Sequence, residues 1–390
     1  MPTLSDFPLE LLFLLCSYLP HTDILSLSQA CRLFYHVAID DAVWRKVFPD
    51  IFDLRGYRRL GKRQGWIDAL SSRMQLLVEI KKEKVPIVGD TLTVQKYYKW
   101  LRSLNGLASE NDGHTAAQFA KYNVKFKVAE ILQRFLYEPM FDEGIRLMSM
   151  VMSWTSTNAD LLVHLSHDSP LLERLRDIIY NDAPGLSRAA AHAVHVYIVM
   201  CFERWRREHP DRSYELPPPV SAGSEMFLST GADGNNYGDE RPISPYPTYT
   251  GLWLGYYFFQ TFMQNENEKL SIDNYAKTMH MNLAFQPCRG NEVLGAGPPM
   301  EFSGSSGSDR FGSFHIEKGI WSTDGRVEFV KQYHDGIEWV YRGWMTQAGM
   351  VGWWGTLRSN GEYSIGGGFW IWREDRAQER VTGQADEIKC

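Results

Sequence analysis

Four tight-turn signals in the last third of the chain constrain its fold more than any other feature. Asp324-Gly325, Asp335-Gly336 and Asn360-Gly361 are hairpin dipeptides, and Gln347-Ala348-Gly349 supplies a fourth turn. Glycine and its Asx neighbours tolerate the positive φ that two-residue hairpin turns require. The turn glycines at 325, 336, 349 and 361 lie 11, 13 and 12 residues apart. Spacing that even calls for short strands of similar length, each folding back on the last, as in an up-and-down meander. Counting outward gives eight strands, near 251–262, 277–286, 293–303, 311–319, 326–333, 337–345, 350–357 and 366–373. Closure into a barrel removes the exposed edges of such a sheet.

Alternation assigns the faces. Val327, Phe329, Lys331 and Tyr333 share one side of their strand, and Ile337, Trp339 and Tyr341 one side of the next. Several strands are apolar or aromatic on both faces, as with Phe369 and Ile371 against Trp370 and Trp372. A barrel of that kind needs cover on its outer wall, and the helical region that precedes it is the obvious source. Eight of the thirteen tryptophans lie beyond Gly251, so the aromatic core belongs to this half.

The other end of the chain is leucine-dense and helical. It reads Leu4-Ser5-Asp6-Phe7-Pro8-Leu9-Glu10-Leu11-Leu12, then Leu15, Leu19-Pro20-His21-Thr22-Asp23-Ile24-Leu25, Cys31-Arg32 and Val43-Trp44. Asp6 and Pro8 are start signals for a first helix, with Leu9, Leu12, Phe13 and Cys16 on one face and Leu11, Leu15, Tyr18 and Leu19 on its neighbour. Pro20 stops it. Thr22 and Asp23 can cap a second helix over Ile24 to Phe34, and Trp44 follows as an anchor. A unit this small has more apolar surface than it can bury alone.

That segment resembles an F-box, with Gln29-Ala30 standing where the family more often has an aliphatic. The resemblance implies docking onto a Skp-type adaptor, and through it a cullin–RING scaffold. Pro8, Leu9, Leu12, Leu15, Leu19, Ile24, Leu25 and Trp44 would contact or support that interface. The rest of the chain would then select a protein for ubiquitylation and proteasomal degradation.

Between the two ends, residues 51–209 read as a stack of antiparallel helices. Candidates are Trp66 to Lys84, Thr91 to Leu107, Ala116 to Leu136, Phe141 to Trp154, Asn158 to His167, Pro170 to Tyr180 and Ser187 to Glu208. Residues 210–250, with Pro217-Pro218-Pro219 and scattered glycines, read as a linker or long loop. The expected architecture is therefore α+β and multidomain. It has an all-α N-terminal half (F-box 4–50, helical domain 51–209), the linker 210–250, an antiparallel up-and-down β-barrel over 251–375 and a tail over 376–390.

Net charge is −6, with 44% hydrophobic and 23% charged residues, as in a globular protein without the basic excess of nucleic-acid binders. The locally basic stretch from Arg45 to Lys84 reads as a solvated helical face. The five cysteines are scattered with no CxxC, which fits a reducing compartment, cytoplasmic or nuclear. The N-terminus lacks the basic region of a signal peptide, and no apolar run is long enough to span a membrane.

Catalytic and metal signatures are weak. His164 with His167, and His192 with His195, sit at helical spacing, but packing histidines are commoner than zinc ligands there. The loop Asp233 to Glu240 has a tyrosine where a calcium site needs oxygen. Gly295-Ala296-Gly297 and Gly304 to Gly307 lack the strand–helix context of phosphate loops. Neither an enzyme activity nor a cofactor is expected.

The C-terminal half resembles the lipocalin-like barrel found behind an F-box in some substrate receptors. Gly251-Leu252-Trp253-Leu254-Gly255-Tyr256-Tyr257 carries the likeness, with Phe314-His315-Ile316, Lys331-Gln332-Tyr333, Tyr341-Arg342-Gly343 and Gly352-Trp353-Trp354-Gly355. It implies recruitment of a protein substrate by the barrel. Trp253, His315, Lys331, Tyr333, Trp339, Arg342 and Trp353 are the candidate pocket residues, aromatic surface with a few polar anchors. The competing reading is a core filled by those same aromatics. A barrel holding a hydrophobic small molecule, with the F-box controlling turnover, is the alternative function. A structural F-box protein acting without a cullin is a third.

Overall fold

The computed structural model of the protein describes residues 7–52, 65–87, 89–109, 113–154, 161, 169–181, 187–208, 249–257, 279–288, 299–346, 348–358 and 361–374. The expected helix Asn158 to His167, apart from its residue 161, lies outside these residues. So do the histidine pair 164 and 167, the loop 233–240, Gly295 to Gly297, nearly all of the expected linker and the tail 376–390. The chain divides into two compact units. One comprises 1–85 with 103–127, and the other 86–102 with 128–390.

The first unit opens on four short helices, α1 (Leu9–Cys16), α2 (His21–Ser28), α3 (Arg32–Ala38) and α4 (Asp41–Val47), then a 3-10 turn (Phe48–Asp50) and α5 (Trp66–Lys82). Pro8 and Pro20, both with φ near −53°, are the N-caps of α1 and α2. Neither helix has a side-chain cap. Thr22 instead bonds the carboxylate of Asp23, so the capping expected of those two residues is not realised. Asp40 does cap α4, accepting from the Ala42 amide at 2.8 Å. The helix expected over Ile24 to Phe34 is two, because the chain leaves helical geometry at Cys31, whose φ is −161°.

Trp44 is the keystone of this unit. It is buried, and its indole Nε1 donates to the Ala38 carbonyl at 2.5 Å. Phe48 packs edge-on to Trp66, with centroids 5.4 Å apart, and tilted against Phe52. Helix α7 (His114–Lys121) completes the described helices lying wholly inside this unit, and α6 (Thr91–Ser109) and α8 (Val124–Arg134) cross its boundary. The helix expected over Ala116 to Leu136 is thus α7 and α8. Asn123 separates them with a φ of 55°, the left-handed conformation that ends a helix.

The second unit holds α9 (Phe141–Ser153), α10 (Pro170–Asn181), α11 (Arg188–Glu208) and eight strands. These are β1 (Gly251–Tyr257), β2 (Met279–Pro287), β3 (Met300–Asp309), β4 (Gly312–Trp321), β5 (Arg326–Tyr333), β6 (Glu338–Thr346), β7 (Gly349–Leu357) and β8 (Tyr363–Arg373). Every neighbouring pair is antiparallel and in sequence order, and β1 pairs with β8 to close the barrel. The expected α+β architecture, helices first and an up-and-down barrel last, is the one observed. Gly325, Gly336, Gly349 and Gly361 all have positive φ, as their hairpins demand.

A continuous stack of rings fills the barrel. Phe285 stacks on Phe302 at 4.9 Å, Phe302 meets Phe329 edge-on at 5.6 Å, Phe329 stacks on Tyr341 at 4.6 Å, and Tyr341 meets Phe369 edge-on at 5.0 Å. Such pairs contribute about 0.5–1.5 kcal/mol each beyond their buried area. The outer wall is covered as its two-faced strands require. Helix α11 packs against β6, β7 and β8 and also against α9 and α10, and every residue from Ala190 to Met200 is buried. A helix apolar all round is a central helix. Its line across the sheet is marked by Arg188 over Trp344, His195 edge-on to Trp370 at 4.4 Å, and Phe202 against Tyr256 at 4.4 Å.

Candidate functional site

The first unit leaves its leucines out of its own core. On α1 only Leu12 and Cys16 are buried, whereas Leu9, Leu11, Leu14 and Leu15 are each exposed by two-fifths or more, and Tyr18 just beyond is 81% exposed. Leu25 on α2 is likewise exposed, while Ile24 beside it is buried. Burying one leucine side chain is worth about 1.5–3 kcal/mol. Exposed apolar surface of this kind commonly marks interaction sites. Of the sequence-derived residues, Pro8, Leu9, Leu15 and Leu25 lie on the surface, Leu19 is half-buried, and Leu12, Ile24 and Trp44 lie inside. Leu11 and Leu14 are exposed with them and belong to the same helix.

In the second unit the candidate pocket residues separate by strand parity. Lys331, Tyr333 and Trp339 point into the barrel and meet. The Lys331 Nζ lies 4.7 Å from the Tyr333 ring centroid and 5.2 Å from that of Trp339, and the two rings are 5.1 Å apart. Trp253 also points inward but sits toward the opposite end, bonded to the Tyr249 carbonyl and packed on Phe285. His315, Arg342 and Trp353 belong to the other face. Arg342 is the register partner of both Glu328 and Trp353, bonds the Glu328 carboxylate at 3.1 Å, and lies over the Tyr363 ring. These seven residues therefore do not share one pocket. Alternation along β4, β6 and β7 sends three of them outward.

What gathers round Lys331 instead is a buried polar hub at the barrel mouth. The lysine side chain is 0% exposed and pairs with Asp309, whose side chain is equally buried. The same Asp309 oxygen accepts from the Tyr333 hydroxyl at 2.6 Å and the Tyr257 hydroxyl at 3.2 Å. Aromatic rings enclose the ammonium, with Phe314 at 4.0 Å and Tyr257 at 5.1 Å. Burial pushes the Lys331 amine down to about 8, against the opposing pull of Asp309. Burial first, then Asp309, raises the hydroxyls of Tyr257 and Tyr333 above their ordinary range. The Tyr341 hydroxyl, also buried close by, meets no hydrogen-bond partner among the described residues.

Asp309, Tyr257 and Phe311 escape a reading of the sequence. One signal pointed toward them. A lysine in the inward series Val327, Phe329, Lys331, Tyr333 demands a buried counter-ion from another strand.

With this geometry in place, the comparisons with known proteins fall on the first unit. The F-box-like family model matches residues 4–50, the span whose helices expose the leucine face. Neither a curated protein nor a solved structure matches the chain. The protein thus combines an F-box-like segment with a closed eight-stranded antiparallel barrel. F-box domains generally bind Skp-type adaptors and belong to non-catalytic subunits. No described helix is long and apolar enough to cross a membrane.

Proposed function

We propose that this protein is the substrate-recognition subunit of an SCF-type ubiquitin ligase. The F-box-like segment docks a Skp-type adaptor, which links it to a cullin–RING scaffold, and the C-terminal barrel binds the protein to be ubiquitylated. The observation that carries the reading is the leucine face of α1 and α2, on the segment that the F-box-like family matches. Pro8, Leu9, Leu15, Leu19 and Leu25 meet the adaptor, and Leu12, Ile24 and Trp44 hold that face from within. The subunit does no chemistry of its own. It raises the local concentration of a substrate beside a ubiquitin-charged enzyme, the effect of tethering two binding modules. Its place is the cytoplasm or nucleus, where adaptor and scaffold work.

Affinity purification of the full chain from cells tests this. Adaptor, cullin and RING subunits are expected together, with proteins whose half-life lengthens when the chain is removed. Recovery of the adaptor without any cullin would contradict the ligase reading. Barrel variants that leave every such half-life unchanged would contradict the substrate role.

A further inference from the structure

We propose that a small dianionic phosphate ligand, inorganic phosphate or a phosphate monoester, binds between Arg146 on α9 and Arg188 at the start of α11. The two helices face each other across Ser149, whose hydroxyl meets His195 and His192. Arg146 stands one turn before Ser149 on α9, and Arg188 one turn before His192 on α11. Both guanidiniums therefore come to the same end of the helix pair. Burial, then the nearby charge of Arg146, lowers the Arg188 guanidinium, and both arginines act on His192. Both side chains are half-buried, and neither has a hydrogen-bond or ion-pair partner among the described residues. The Nε of Arg188 is buried outright and unpaired.

Two unpaired like charges, withdrawn from water, oppose folding. Arg188 is also the first residue of α11, the positive end of the helix dipole, where a cation is least welcome. The contrast with other arginines is plain. The exposed Arg326 and Arg358, which water could serve, each have a carboxylate, Asp324 and Glu362. Arg326 and Arg188 even lie over the same Trp344 ring, at 5.6 and 5.9 Å, yet only Arg326 has its counter-ion. An anion between Arg146 and Arg188 removes each of these costs. Guanidiniums pair with phosphate oxygens through two parallel hydrogen bonds, and a helix N-terminus adds to the attraction. Two positive charges match a phosphate dianion, whereas a carboxylate leaves one of them uncompensated. The His192 ring adds a further polar group, since it is buried and its Nε2, on the ring edge away from Ser149, has no partner.

Isothermal titration and thermal unfolding of the full chain test the site, with inorganic phosphate and glycerol phosphate as probes and sodium chloride at matched ionic strength as control. Phosphate stabilises many proteins by exclusion from their surface, without saturation. Here saturable binding is expected, with a dissociation constant of about 1 mM or tighter. Arg146→Gln and Arg188→Gln are each expected to weaken it about tenfold or more, the loss of one charge-assisted pair. Arg358→Gln is expected to leave it unchanged. Without phosphate, the two inner variants are expected to unfold at or above the natural midpoint, because a repulsion has been removed. Comparable affinity for both probes assigns the free ion, and tighter binding of glycerol phosphate assigns an ester. Absence of saturable binding by either probe would overturn the site, as would full affinity in a folded Arg146→Gln or Arg188→Gln protein. A midpoint lowered equally with and without phosphate would reduce the arginines to packing residues and overturn it too. None of these readouts involves adaptor or protein substrate, so this site and the ligase reading stand or fall separately.

Discussion

Lys331 and Asp309 set the energetics of the barrel mouth. Removing one member of a buried pair leaves the other charge without compensation, which costs about 3–5 kcal/mol. Asp309→Asn is expected near the lower end, about 3 kcal/mol in urea unfolding, because the remaining amine can shed its proton. The pH dependence carries the sign of burial. The Lys331 amine is held at about 8 in the folded chain against about 10.4 when unfolded. Across that window the unfolded chain binds a proton that the folded one does not, so stability rises with pH. Buried Tyr257, Tyr333 and Tyr341, raised above their ordinary range, reverse the trend once unfolded tyrosines ionise near pH 10. Buried thiols raised above their ordinary range, Cys201 to about 12 and Cys16 in the same direction, pull the other way over the same window. The Lys331 contribution is therefore read as a difference. The unfolding midpoint of the natural protein minus that of Lys331→Met is expected to climb between pH 8 and about 9.5, and a flat difference would count against an amine lowered by burial.

Helix α11 is the element that joins helices to barrel, and its histidines give it an acid limit. The Ser149 hydroxyl on α9 lies 2.8 Å from His195 Nδ1 and 3.1 Å from His192 Nδ1. One hydroxyl proton serves one ring, so the other ring must donate to the hydroxyl oxygen. Burial lowers His195 to about 3, and burial with Arg188, Arg146 and His195 nearby holds His192 well below its usual value. The histidines' contribution to stability is therefore complete above about pH 6.5 and falls as the unfolded histidines take up protons below it. Two such groups give a slope of up to about 2.7 kcal/mol per pH unit. His195→Leu should halve that slope in denaturant titrations between pH 4 and 6. The pair reads in the sequence as two helical histidines, but their role needed Ser149, some 40 residues away.

The same scale shows what the sequence made legible. Strands β4 to β8 fall close to their expected positions because a turn glycine with positive φ pins each hairpin after β4. The start of β3 does not, since 293–303 was expected and Met300–Asp309 is observed. Serine and glycine from 303 to 308 look like loop, yet bulges keep them in the sheet. Those bulges also break the period-two count, which hides that Asp309 points inward. On the helical side, the breaks at Cys31 and Asn123 carry no proline or glycine, and periodicity runs across both.

At the scale of the whole molecule, the two ends of the chain solve opposite problems. The barrel has no edge and buries most of its aromatics, whereas the F-box-like segment leaves leucines exposed on its first two helices. Docking of that segment onto a Skp-type adaptor is thus the central claim, and isothermal titration of the full chain with purified adaptor tests it most directly. Leu15→Glu with Leu25→Glu places two charges on the exposed face without touching the buried Leu12, Ile24 and Trp44. Tight binding by the natural chain, weakened a hundredfold or more in the folded double variant, is the expected result. Equal affinity of both proteins, or no binding by the natural chain, would contradict it.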